Sequence, residues 1–160
     1  MIVVVTGPIC AGKSTAVAQL GARLSDEGTT VEVISLDEIG HEVLVELYGD
    51  DVDRSVIAAE VFYDREKLHA LEATTHPRIM EVARMRAQTF LAQHPRGVVV
   101  IESPIPLSPD TYPWLGEAEV MVVDADRATR RERALGRGMS AEQFDLRDAV
   151  QLRYDYMGSR

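Results

Sequence analysis

Eight consecutive residues, Gly7-Pro8-Ile9-Cys10-Ala11-Gly12-Lys13-Ser14, have the types and spacing needed to hold the phosphates of a nucleotide. Glycines let the backbone curl until successive N–H groups converge on one anion. A helix starting directly after the curl adds its partial positive end. Lys13 is a compact cation able to reach β- and γ-phosphates, and the Ser14 hydroxyl is a ligand for Mg²⁺. The expected nucleotide contacts are therefore Gly7, Cys10, Ala11, Gly12, Lys13, Ser14 and Thr15, with ATP and Mg²⁺ as cofactors. Cys10 is expected to lend the loop its backbone and is assigned no catalysis. Phosphoryl transfer from such a loop works by positioning and electrostatics, so it also needs a base, support for a metal, and mobile arginines.

Asp37 lies just beyond the strand pattern 31–35, where a carboxylate can accept or orient the proton of an acceptor hydroxyl. Its alternative role is to complement the positive end of the helix it opens. His41, four residues on, shares a helix face with Asp37 and either contacts the acceptor or is a half-buried histidine. Glu102 ends the run 98–101 and suits a carboxylate that supports a Mg²⁺-bound water, or else an ordinary strand-end residue. Asp124 is expected to serve a turn or a helix cap. Arg127, Arg130, Arg131, Arg133 and Arg137 crowd one short segment, and Arg137 lies between Gly136 and Gly138. A glycine-flanked arginine is how a mobile lid delivers charge to a transition state, and Arg133 shares its helical face and could grip phosphates with it. Arg147 in the next helix is placed to assist. For the other arginines a solvated basic face is the expectation.

The elements that must position these residues alternate between strand and helix patterns, the signature of a parallel sheet covered on both faces. Strands are expected at 2–5, 31–35, 98–101 and 120–123, with the third, the most hydrophobic, lying centrally. Helices are expected at about 13–25, 36–48, 53–62, 64–74, 77–93, 127–135 and 141–153. Ser140 and Gln143 form a capping-box pair before the last of these, and Pro77 suits a first helical turn. Four prolines between residues 103 and 116 imply a loop with at most a short helix near Tyr112. The fold expected is α/β of the P-loop NTPase type, adenylate-kinase-like, with four to five parallel strands and a small lid. One domain should span 1–160, with acceptor-binding helices at about 37–93 and the lid at about 127–147.

Composition narrows the function. The chain has 160 residues and a net charge of −9, which disfavours nucleic acid and anionic membrane surfaces as partners. The start of the chain lacks a signal-peptide pattern, and no apolar run approaches a membrane span. A single cysteine excludes an intrachain disulfide. A soluble, cytoplasmic domain is expected, a monomer or weak homo-oligomer acting on a small-molecule acceptor. There is no asparagine, so the Asn-Lys-x-Asp guanine reader of GTPases is excluded. Small-molecule kinases remain.

The joint order of signals resembles the dephospho-CoA kinase family over nearly the whole chain. The resemblance is carried by Val5-Thr6-Gly7, Gly12-Lys13-Ser14-Thr15, Leu36-Asp37-Glu38-Ile39 and Thr75-His76-Pro77. It continues through Glu102-Ser103-Pro104, Val122-Val123-Asp124, Glu132-Arg133, Arg137-Gly138-Met139-Ser140, and Arg147 with Gln151. It implies transfer of the ATP γ-phosphate to the ribose 3′-hydroxyl of dephospho-CoA. Asp37 would then be the base, Arg137 a lid arginine, and His76 a border of the acceptor site. The acceptor side thus comprises Asp37, His41, His76, Glu102 and Arg147. The family's Asp-Ala-Asp stands here as Ser35-Leu36-Asp37. Two other readings stay open: a nucleoside or deoxynucleotide kinase, and a nucleotide-binding regulator without turnover.

Overall fold

The computed structural model describes residues 1–49, 65–105, 107 and 110–151. Among them a four-stranded sheet has the order β2-β3-β1-β4, with every pairing parallel. The strands are β1 (Ile2–Thr6), β2 (Val31–Ser35), β3 (Val98–Glu102) and β4 (Glu119–Val122). In register, Val5 and Ser35 both lie opposite Glu102, while Thr6 lies opposite Val122. The loops that follow the strands therefore open on one edge, where ligands of open α/β sheets bind.

Both faces of the sheet are covered at its two central strands, which is why β1 and β3 are almost continuous β-branched runs. Side chains alternate between the faces. Ile2, Val4, Val99 and Ile101 pack with Ile39 and Val43 of α2 (Leu36–Tyr48) and with Met80, Ala83 and Ala87 of α3 (Arg65–Gln93). Val3, Val5, Val98 and Val100 pack on the other face with Val17 of α1 (Lys13–Asp26), flanked by Ala16, Leu20 and Leu24. Each fully buried aliphatic side chain contributes about 1.5–3 kcal/mol. A third cluster joins Cys10 of the phosphate loop to Ala134 of α4 (Arg127–Gly136) and Phe144 of α5 (Ala141–Gln151).

Most boundaries agree with expectation to within a residue, but α3 does not. The expected helices at about 64–74 and 77–93 are one helix of 29 residues with Pro77 inside it. Proline removes a backbone donor and normally ends a helix. Here the chain runs on because residues on both sides of Pro77 dock: Thr75, Met80, Ala83 and Ala87 are buried, and Arg78 pairs with Glu46 of α2 at 3.0 Å. The hydroxyls of Thr74 and Thr75 donate to the carbonyls of Ala70 and Leu71, at 3.0 and 2.8 Å, in the turn preceding the proline. The helix expected at 53–62, and the end of the one expected at 141–153, lie outside the described residues. In the proline-rich loop a 3₁₀ turn, Pro113–Leu115, stands next to Tyr112.

The capping box forms as expected: Gln143 N–H donates to the Ser140 hydroxyl at 3.1 Å, and Ser140 N–H donates to Gln143 Oε1 at 3.0 Å. Asp124 accepts from Ala125 N–H at 2.7 Å in the irregular segment between β4 and α4. The cap of α4 is Asp126, which accepts from Thr129 N–H at 2.8 Å.

Candidate active site

The loop between β1 and α1 starts at Gly7, whose φ is +146°. A Cβ built there would lie 1.9 Å from the carbonyl oxygen of Val123, just past β4. Gly7→Ala should therefore destabilise the fold by at least about 2 kcal/mol, through overpacking and an unfavourable φ. Thermal unfolding checks this, and a wild-type melting temperature would contradict the close approach.

At the other end Gly12 caps α1 with φ +111° and no side-chain hydrogen bond. The first N–H groups of α1 have no capping side chain, which is the arrangement that receives a phosphate. Lys13 folds back over the loop, its ammonium donating to the carbonyls of Gly7 at 2.9 Å and Pro8 at 3.1 Å. Burial lowers its pKa below the ordinary lysine value, against the opposing pull of the Asp37 and Glu102 carboxylates. The Ser14 hydroxyl donates to Glu102 Oε1 at 2.7 Å. Lys13, Ser14, Asp37 and Glu102 thus share one corner at the strand ends of the sheet.

A pocket opens beside this corner. Leu36, Asp37, Gly40 and Leu44 of α2 line one wall, and Leu71, Thr75, His76, Ile79 and Met80 of α3 line another. Pro104, Ile105 and Tyr112, from the loop after β3, complete the lining. That loop is held back onto the sheet, because the hydroxyls of Thr6 and Ser103 both donate to the Ile105 carbonyl. The walls are mostly apolar, and Asp37, His76 and Tyr112 are the titratable groups in them. Such a cleft suits an extended, partly apolar acceptor.

His41 is not in this lining. It is exposed, one position round the helix from Gly40, whereas the lining positions 37, 40 and 44 follow the pocket-facing stripe. The structure also places Arg130 differently from a solvated face. Arg130 is only 6% exposed and donates to Asp148 Oδ1 at 2.6 Å, while Arg127 pairs with both Asp148 and Asp145. Arg133 donates to the carbonyls of Cys10 at 3.3 Å and Ala11 at 2.8 Å, on the outside of the phosphate loop. Arg137 caps the end of α4, exposed, its guanidinium making no hydrogen bond or ion pair among the described residues. Arg147 is half-buried on α5. Sequence reasoning missed Thr75 and Tyr112 in the pocket, and it missed the buried Arg130–Asp148 pair. No helix among the described residues is long and apolar enough to cross a membrane.

A strand, a phosphate loop and a helix at the edge of a parallel sheet, beside an acceptor-sized cleft, define a P-loop small-molecule kinase. A profile of the dephospho-CoA kinase family matches residues 1–155. The chain belongs to the dephospho-CoA kinase family. It is 40% identical over 162 residues to a dephospho-CoA kinase of Deinococcus radiodurans, a match covering 92% of this chain and 74% of the relative. With a dephospho-CoA kinase of Chlamydia pneumoniae it shares 30% identity over 163 residues, covering 89% and 75%. The crystal structure of TT1252 from Thermus thermophilus has a similar fold, with a TM-score of 0.66 and 28% identity, covering 96% of this chain and 81% of that one.

Proposed function

We propose that this chain transfers the γ-phosphoryl group of ATP to the ribose 3′-hydroxyl of dephospho-CoA, giving CoA and ADP. The observation that carries the reading is the meeting of Lys13, Ser14, Asp37 and Glu102 at the mouth of the pocket lined by His76. The loop receives the ATP phosphates, and Lys13 leaves the carbonyls of Gly7 and Pro8 to meet the β- and γ-oxygens. Asp37 accepts the proton of the acceptor hydroxyl as the new O–P bond forms and the bond to ADP breaks. His76 and the apolar walls hold the acceptor so that its hydroxyl faces the γ-phosphorus.

Ser14 and Glu102 offer hard oxygen donors 2.7 Å apart, a set that fits Mg²⁺; Ser14 would hold the ion and Glu102 would support a water on it. No cluster of three or more carboxylate, histidine or cysteine side chains suited to a metal occurs among the described residues. Mg²⁺ typically takes one or two protein ligands and completes its shell with phosphate oxygens and water. Bound there, the ion would neutralise charge on the β- and γ-phosphates.

Arg137 has the exposure and the neighbouring glycines, Gly138 with φ +83°, that suit a lid arginine. Arg137→Ala is expected to lower kcat by somewhat less than about 10³-fold, with a smaller effect on the KM for ATP and an unchanged melting temperature. Steady-state kinetics alongside thermal melts check this. Unchanged kinetic constants would take Arg137 out of the mechanism.

The function itself is tested by coupled measurement of ADP release with dephospho-CoA, nucleoside monophosphates and free nucleosides as acceptors. Dephospho-CoA should raise ADP release far above the acceptor-free rate. Stimulation by a nucleoside or nucleotide alone would replace the substrate assignment, and none by any acceptor would favour a regulator.

A further inference from the structure

The phosphate loop holds Cys10 at φ +58°, in the left-handed region that a residue with a side chain seldom adopts. A loop in that conformation persists only where its surroundings over-determine it. The support comes from α4 and α5, more than a hundred residues along the chain. Ile9 N–H donates to Gln151 Oε1 at 2.6 Å, and the Gln151 amide donates to the Pro104 carbonyl at 3.5 Å. The Ile9 carbonyl accepts from Arg130 Nη1 at 3.3 Å. Arg130 is in turn fixed by Asp148 at 2.6 Å and by the Ala125 carbonyl at 3.0 Å. Arg130 and Asp148 are 6% and 2% exposed, so the pair is desolvated and held in one geometry.

A trans peptide carries its C=O and N–H antiparallel. The carbonyls of Ile9, Cys10 and Ala11 all face the arginines of α4, which turns the N–H groups of Cys10, Ala11 and Gly12 to the opposite side. Ala11 N–H closes a turn on the Pro8 carbonyl at 3.2 Å, while those of Cys10 and Gly12 have no acceptor among the described residues. They are the donors a phosphate would use.

We infer that Gln151, together with the buried Arg130–Asp148 pair, is a positioning clamp on the two peptides flanking Ile9 that sets the loop's donors for ATP. The inference rests on the kinase reading above. Gln151 reaches one loop on each side: the phosphate loop at Ile9, and the turn after Glu102 at Pro104, a residue of the acceptor pocket. One side chain therefore spans from the ATP cradle to a wall of the acceptor site.

The test is calorimetric titration of ATP with Mg²⁺ into the wild-type chain, Gln151→Met and Gln151→Glu, with a thermal melt and kcat at saturating ATP for each. Methionine keeps the volume and loses the acceptor for Ile9 N–H, whereas glutamate keeps an acceptor oxygen there. Gln151→Met should raise the Kd for ATP about five- to twentyfold, the worth of a half-buried hydrogen bond that orients a loop. Gln151→Glu should stay within about threefold of wild type, and both variants should keep kcat at saturating ATP within about the same factor. Binding by Gln151→Met within twofold of wild type would overturn the clamp. So would equal weakening of both variants in step with equal losses of melting temperature, which is the mark of a merely structural residue. A wild-type chain that bound no ATP would overturn the kinase reading, and the clamp with it.

Discussion

Lys13→Ala is expected to lower kcat/KM by about 10³-fold or more while the melting temperature changes little. The ammonium's hydrogen bonds run to two loop carbonyls, Gly7 and Pro8. Its value lies in charge delivered within a partly water-excluded corner, where an interaction with phosphate is worth more than in bulk water. Burial lowers the Lys13 pKa, so the alkaline limb of kcat/KM for the free enzyme should fall below the ordinary lysine value of 10.5. The sign follows directly: the protonated form is the active one, and activity is lost as pH rises through the lowered pKa. Kinetics with a pH profile and a thermal melt check the whole statement. A variant with near-wild-type turnover would remove Lys13 from the phosphate site.

Asp37→Asn is expected to lower kcat by about 10²–10⁴-fold, the usual worth of a positioned base, with ATP affinity retained. The substitution is nearly isosteric. Asp37 lies in the first turn of α2, but the cap there is Ser35, whose side chain accepts from Glu38 N–H at 3.3 Å. Loss of the carboxylate's interaction with the helix end costs only about 0.3–1 kcal/mol. A second consequence follows from the charge pair. The Asp37 carboxylate raises the pKa of Lys13, so its removal should bring the alkaline limb to still lower pH. Nucleotide titration and pH-dependent kinetics measure both effects. A fall in ATP affinity as large as the fall in kcat would instead assign Asp37 to the metal or to the fold.

The corner formed by Lys13, Ser14, Asp37 and Glu102 was legible in the sequence because each residue is tied to the end of a strand or the start of a helix. A β-branched run ending in a glycine curl locates Lys13 and Ser14, and parallel strands bring Asp37 and Glu102 to the same edge without further information. His76 was legible only through the resemblance. The unbroken α3 was not, because Pro77 in isolation marks a boundary and the docking that overrides it is tertiary. Arg130 and Asp148 lie 18 residues apart on separate helices, and nothing local distinguishes a buried ion pair from two solvated charges. His41 stands exposed one helical position from the pocket-lining stripe, since a face defined by i and i+4 is broader than that stripe. Gln151 carried no signal beyond its place in the family pattern, because its partners are a backbone N–H and a backbone carbonyl.

The central claim is the transfer of phosphate from ATP to dephospho-CoA, and following a label on the γ-phosphate of ATP tests it most directly. With dephospho-CoA present, the label is predicted to appear in CoA, on the ribose 3′-oxygen, in step with ADP. Label recovered only as inorganic phosphate, or left in ATP while dephospho-CoA stays unmodified, would contradict the account.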